Sequence, residues 1–362
     1  MRVSGVQAEN PLEWALLRLG LVPTPLLQSF GMVGARALLV ATKVGVFDAL
    51  EVGPPSSAEL ASRLDLHPET ARRFLNFLVS ERYLRLRDGR YGLSRLSRRW
   101  LLSSSPRSLR DSILMRFVEW DWIGHLEEVI RSGVAVDVHH TMTPAEWGLY
   151  QRSMRSSARV FGAELARRTP VPPGARTMLD IGGSHGYYSV AICRRHPGLK
   201  SIVLDLPEAV EHAAPILAKE NMGDRVVHRA GDVLVENLGE VAFDLVFMAN
   251  LAHNLNESDN RAVARKAAAA LRPGGLFVIH DLARRRSDLS GGEMGTMADL
   301  YFAVMSKAGA WSPDQMADWQ RDAGLTPQRV KRLVTLPGTV LQTATKPSRP
   351  AANTFASNRS RP

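Results

Sequence analysis

Acids and histidines that follow directly on short apolar runs carry the chemistry open to this chain. Met178-Leu179 ends in Asp180, and a glycine-rich turn, Gly182-Gly183-Ser184-His185-Gly186, comes next. Ser201-Ile202-Val203-Leu204 ends in Asp205, and Phe243 to Met248 runs into Ala249-Asn250-Leu251-Ala252-His253-Asn254. Leu276 to Ile279 ends in His280-Asp281. Such runs read as buried strands of an open α/β sheet, where ligands bind outside the carboxyl ends of the strands. Glycine in the first turn lets a ligand approach the backbone, because no Cβ stands in the way. An acid ending the second strand can accept from both hydroxyls of a ribose. An imidazole, with a pKa near ~6.5, can exchange a proton at neutral pH. His253 stands at the fourth strand exit, in the crevice where a ligand would lie.

The turn discriminates between two nucleotide-type ligands. A dinucleotide fingerprint, G-x-G-x-x-G, needs glycine at 182, 184 and 187. Gly182, Ser184 and Tyr187 stand there, which fits poorly. The pattern D-x-G-x-x-x-G fits, with Asp180, Gly182 and Gly186, and is similar to the first motif of class I methyltransferases. The blander alternative is an ordinary βα turn whose glycines serve packing.

Further segments extend that likeness. They are L-D-I-G-G-S-H-G (179–186), L-D-L-P-E-A-V (204–210), A-G-D-V (230–233), F-M-A-N-L-A-H-N (247–254) and L-R-P-G-G (271–275). From about residue 30 to 345 the chain resembles the small-molecule O-methyltransferases of the plant caffeate and flavonoid type, with their bacterial natural-product relatives. The resemblance implies S-adenosylmethionine (SAM) as cofactor and a small aromatic acceptor with a hydroxyl group. It implies cofactor contacts from Asp180, Gly182, Gly183, Ser184, Gly186, Asp205, Leu206, Gly231, Asp232, Val233 and Asn250. His253 falls on the family's general base and Asp281 on the acid that orients it. Trp122, Trp147, Tyr150, Met154, Met297 and Tyr301 would line the acceptor site, although aromatic and Met residues at helical spacing equally suit a core. His185 would close over the cofactor or cap the following helix. The chain departs from the family where Ala310 replaces a second orienting acid, Ala249 a frequent Lys, Asn254 an acid and Leu255 a Trp. Methylation of nitrogen or carbon, or a non-methylating reaction on the same scaffold, therefore stays open beside O-methylation.

These residues need a scaffold, and the patterning supplies one. The expected fold is a Rossmann-like α/β class I methyltransferase sheet with helices on both faces, preceded by a mostly α winged-helix domain. Ser56-Ser57-Ala58-Glu59 is a capping box, Glu69 to Arg82 a helix, and Asp88-Gly89 the turn of a hairpin. A winged helix invites a DNA-binding or SAM-sensing reading. However, the second helix carries Phe74, Phe77 and Glu69 beside Arg72 and Arg73, and no arginine-rich arm precedes it. In the resembled family this module dimerises, so a homodimer and no nucleic acid are expected. The expected domains are 1–105, connecting helices 106–170, the catalytic domain 171–346 and a disordered basic tail 347–362.

Composition sets the outer limits. The 362 residues suggest two domains. One cysteine, Cys193, rules out intramolecular disulfides and cysteine zinc clusters and suits a reducing cytoplasm. No His/Cys spacing suits a transition metal, so none is expected. Gly31 to Leu50 reads as one buried helix; Arg36, Lys43 and Asp48 make it too charged for a membrane span. No signal peptide is evident. The net charge of +10 is dispersed, with Arg284-Arg285-Arg286 a small cluster that could meet an acidic substrate.

Overall fold

The computed structural model describes residues 6–284, 292–306, 309–336 and 338–348. The chain forms two compact units. One runs to Val160 and includes the helix Gly292–Met305; the other starts at Phe161 and resumes at Ser306. The tail expected to be disordered lies, beyond residue 348, outside the described residues, as do Arg285 and Arg286.

In the first unit the expected Gly31–Leu50 helix is broken. Gly31–Lys43 is helical, Gly45 takes φ +83°, and Val46–Ala49 forms one further turn. Only glycine adopts that conformation at no steric cost. Ser56 caps Ser57–Arg63 with a complete capping box, and Pro68 opens Pro68–Ser80. Asp88 and Gly89 both take positive φ between β1 (Leu84–Arg87) and β2 (Arg90–Leu93), the geometry of a two-residue hairpin. Phe47, Leu60, Leu75, Leu78 and Leu93 pack these pieces into one core. Among the connecting helices, Arg110–Gly124 and Leu126–Ser132 follow each other directly, separated at His125.

The second unit is built on one sheet. In chain order its strands are β3 (Thr177–Ile181), β4 (Lys200–Asp205), β5 (Val226–Ala230), β6 (Phe243–Ala249), β7 (Leu271–Leu282), β8 (Thr326–Pro327), β9 (Lys331–Arg332) and β10 (Thr339–Thr345). Their spatial order is β5-β4-β3-β6-β7-β10-β8, with β9 also on β10. β3 to β7 run parallel, whereas β10 lies antiparallel to β7 and pairs Val340 with Asp281. β7 is longer than expected, because Leu271 to Gly275 continue the strand rather than form a loop. Gln328–Leu333 reads from its sequence as the next-to-last strand, before Thr339–Ala344; of it only the two-residue β9 is formed, preceded by the two-residue β8. The helices Tyr187–Arg195, Pro207–Ala218, Glu257–Ala270 and Pro313–Asp322 cover the sheet. Leu179, Val246, Phe277, Val263, Ala267, Met316 and Trp319 belong to the core they enclose.

Candidate active site

After β3 the chain winds out to β4 and β5 on one side, then crosses to β6 and β7 on the other. The reversal between β3 and β6 is where open α/β sheets bind ligands. The carboxyl ends of β3, β4, β6 and β7 bring Asp180, Asp205, Asn250, His253 and Asp281 to that edge.

His253 lies on a single 3-10 turn, Ala252–Asn254, directly after β6. Asp281 is the next-to-last residue of β7. Parallel pairing of Ala249 with His280 sets the two elements in register. The His253 Nδ1–H donates to Asp281 Oδ1 at 2.8 Å, and the His253 backbone N–H reaches Asp281 Oδ2 at 3.3 Å. A carboxylate can only accept here, so the proton of this bond sits on Nδ1. Both side chains are almost wholly buried.

At the β4 exit, Asp205 accepts from the Ser184 N–H at 2.6 Å and the Leu206 N–H at 2.8 Å, one on each oxygen. Each oxygen retains a second lone pair for a hydroxyl donor. Burial pushes the Asp205 carboxyl up to about 6, against the pull of those two N–H groups. Asp180 is buried; Ser189 Oγ donates to its Oδ2 at 2.6 Å, and its Oδ1 has no hydrogen-bond partner among the described residues. Burial, offset by Ser189 and reinforced by the negative Asp205, raises Asp180 to about 7.

Residues 131–325, more than half of the chain, match the family model for the O-methyltransferase domain, and residues 27–103 match the O-methyltransferase dimerisation domain. The chain belongs to the O-methyltransferase family. It is 27% identical over 308 residues to 3-hydroxy-5-methyl-1-naphthoate 3-O-methyltransferase of Streptomyces sahachiroi, covering 83% of this chain and 89% of that one. It is 25% identical to bacteriochlorophyllide d C-20 methyltransferase of Chlorobaculum tepidum, over 70% of this chain and 76% of the relative. The structure of human N-acetylserotonin methyltransferase in complex with SAM shares the fold, with a TM-score of 0.79 at 20% identity, covering 94% of this chain and 100% of that one. The protein is thus a SAM-dependent methyltransferase.

The residues of this O-methyltransferase suit SAM on their own chemistry. Asp205 offers acceptors for hydroxyls, and the unpartnered oxygen of Asp180 is a buried anionic atom that a cationic ligand would complement. A Cβ on Gly183 would fall 2.6 Å from the Asp180 carboxyl and 2.7 Å from Val203, and one on Gly182 2.8 Å from Leu251, so at both positions the protein's own side chains require glycine. His185 Nδ1 accepts the Tyr187 N–H at 3.0 Å, in the first turn of the following helix. On the far strand, Gly231 and Asp232 follow β5, Asp232 Oδ1 accepts from Leu234 N–H, and Val233 is buried in the core.

The six acceptor-site candidates all lie in the first unit. Trp122 and Tyr301 pack against a core of Val129, Val138, Val304 and Met305. The Tyr301 hydroxyl meets Arg116, itself ion-paired with buried Glu119. Trp147 is buried and stacks edge-on with Tyr150 at 5.8 Å; Met154 is half-buried and Met297 exposed. Among the described residues no group of His, Cys, Asp or Glu is arranged to hold a metal.

Several residues near this site escaped the sequence reading. Tyr188 is buried beneath it, edge-on to His280 at 5.9 Å. His228 on β5 donates its Nε2–H to the Ser184 carbonyl at 2.8 Å, clamping a residue with φ +52°. Lys266 Nζ caps the carbonyls of Val233, Leu234 and Glu236. Trp311 and Asn260 both reach the turn that carries His253. These contacts join side chains to distant backbone, for which local sequence patterns carry no signal.

Proposed function

We propose that this enzyme methylates a hydroxyl of a small aromatic acceptor, with His253 as general base and Asp281 holding its ring. The observation that carries this is the 2.8 Å bond from His253 Nδ1 to Asp281 Oδ1. It commits the ring's other nitrogen to accepting a proton, at the strand edge where the ligand must lie. SAM, when bound, supplies an electrophilic methyl on a sulfonium. Asp205 would hold its ribose and Asp180 would lie near its positive charge. As the acceptor oxygen loses its proton to His253 Nε2, Asp281 stabilises the imidazolium that forms. Burial of the pair excludes water, which strengthens each of these interactions. The relatives named for naphthoate 3-O-methylation and C-20 methylation support an aromatic acceptor more firmly than they support oxygen as the atom methylated.

Naphthols, hydroxynaphthoates and catechols form the first acceptor panel, read by mass spectrometry for a product one methylene heavier. His253→Ala should lower kcat by ~10²–10⁴ while SAM affinity by calorimetry stays near wild type. A variant within about threefold of wild type would sink the general base and favour a reaction driven by positioning alone. Asp281→Asn should cost less, since it only orients. We further propose a homodimer formed through residues 27–103 and the preceding helices. There Leu26, Phe30, Met32 and Val33 are exposed on the helices Thr24–Ser29 and Gly31–Lys43 and the turn between them. By length and composition alone Thr24–Lys43 could also cross a membrane, but a turn at Phe30 divides it and its latter part lies in the dimerisation-domain match.

A further inference from the structure

We propose that Trp311 is a positioning residue for the His253–Asp281 pair, because it ties together the two segments that carry the pair. The proposal deepens the general-base reading of His253 and rests on it. The indole Nε1–H donates to the Ala252 carbonyl at 2.8 Å and lies 3.3 Å from the Leu255 carbonyl, so it holds the turn at both flanks of His253. The main chain of Trp311 holds the other segment. It forms an isolated parallel bridge with Ala283, and its carbonyl accepts the Arg284 N–H at 3.0 Å, two and three residues past Asp281.

The turn needs such support. A three-residue 3-10 turn has few internal hydrogen bonds and poor geometry in those it has. Here they are Asn254 N–H to Leu251 O and Leu255 N–H to Ala252 O. Asn260, buried on the helix Glu257–Ala270, adds a second grip, its Nδ2 lying 3.0 Å from Ala252 O and 2.9 Å from Leu255 O. Trp311 itself is braced by Trp319, edge-on at 5.2 Å and 1% exposed. Both grips act on backbone, not on the imidazole. That matters because Ala310, buried beside Trp311, stands where the resembled family places a second orienting acid. In this chain orientation from that side passes through the peptide carbonyls of the turn.

A merely structural tryptophan and a positioning one predict different spectra and different kinetics. In protein labelled with 15N-histidine, the His253 Nδ1–H bonded to a carboxylate should give a low-field proton signal, assigned by its loss in His253→Ala. His280 Nδ1–H, bonded to the Val340 carbonyl at 3.0 Å, provides an internal control for folding. Trp311→Phe keeps a ring and removes the N–H. It should shift upfield or broaden the His253 signal while the His280 signal and SAM affinity hold. With the best acceptor of the phenolic panel, it should lower kcat about tenfold, since ångström-scale misplacement of a base is costly. In a His253→Ala background the same substitution should leave kcat unchanged. If Trp311→Phe fails to fold, benzothienylalanine at 311 preserves shape without the N–H and takes the same tests. An unchanged His253 signal, or an equal rate loss in both backgrounds, overturns the proposal. Near wild-type turnover of His253→Ala alone overturns the general-base reading and, with it, a role for Trp311 in the reaction.

Discussion

Two carboxyls, Asp180 and Asp205, sit at adjacent strand exits with proton affinities far above those of ordinary aspartates. Their folded values near about 7 and about 6 exceed the usual ~4 of an unfolded chain. The ligand-free fold therefore holds more protons than the unfolded chain between those values. The stability these two groups lend is fully present near pH 4 and declines as pH rises towards 7. A ligand that donates hydroxyls and carries positive charge favours the ionised forms. SAM affinity should accordingly rise from pH 5 to pH 7, by at most about tenfold per unit for each group, with proton release at pH 6. Calorimetry in two buffers of different ionisation enthalpy reads this directly; flat affinity without proton release would remove both acids from the site. Asp205→Asn should weaken binding and flatten the lower half of the curve. Residues of this kind were legible because an acid after an apolar run has few structural reasons to be there. At Gly183 only the fold shows that the Asp180 carboxyl and Val203 occupy the space of a Cβ.

Elements were legible where a local rule decides them. The capping box at Ser56, the Asp88-Gly89 turn and the strands ending at Ile181, Asp205 and Ala249 follow from spacing alone. Elements decided by distant partners were not. Leu271 to Gly275 carries Pro273 and two glycines, yet it joins β7, and Lys346 Nζ is bonded to the carbonyls of Ala268 and Leu271 at its start. The helix Pro144–Arg168 has a comparable long-range tie through Glu164, which is buried and accepts from Val334 N–H, Thr335 N–H, the Thr335 hydroxyl and Arg168. Burial alone would raise this acid, but those donors outweigh it and hold it near about 2. The stability it lends is present above pH ~4.5 and is lost as pH falls towards 2. Glu164→Gln should destabilise by about 2 kcal/mol, because an amide is a weaker acceptor for Arg168 and the Thr335 hydroxyl. Urea unfolding at pH 7 and pH 3 tests this. The gap between wild type and variant should shrink at the lower pH, and an equal gap at both would assign the loss to packing.

For the molecule as a whole, the exposed apolar residues of the first helices are the clearest unmet demand of the fold. Monomers rarely leave so contiguous a set in water. Sedimentation at micromolar concentration should give a dimer, and Phe30→Asp with Val33→Asp should give a monomer; a monomeric wild type would count against the interface. The parallel sheet was legible from strand runs separated by helices. The place of the antiparallel last strand beside β7 was not legible, because nothing in Thr339–Thr345 names its neighbour. That place also governs synthesis. As the chain leaves the ribosome, β3 to β7 can pair in turn, but the outer side of β7 stays an open edge until Thr339–Thr345 has been made. Such an edge is sticky while it waits. Asp281 lies on it, opposite Val340, so the proposed base pair lacks its neighbour on that side until the last strand has been made. A nascent chain halted before that point would carry every proposed SAM contact without a finished base.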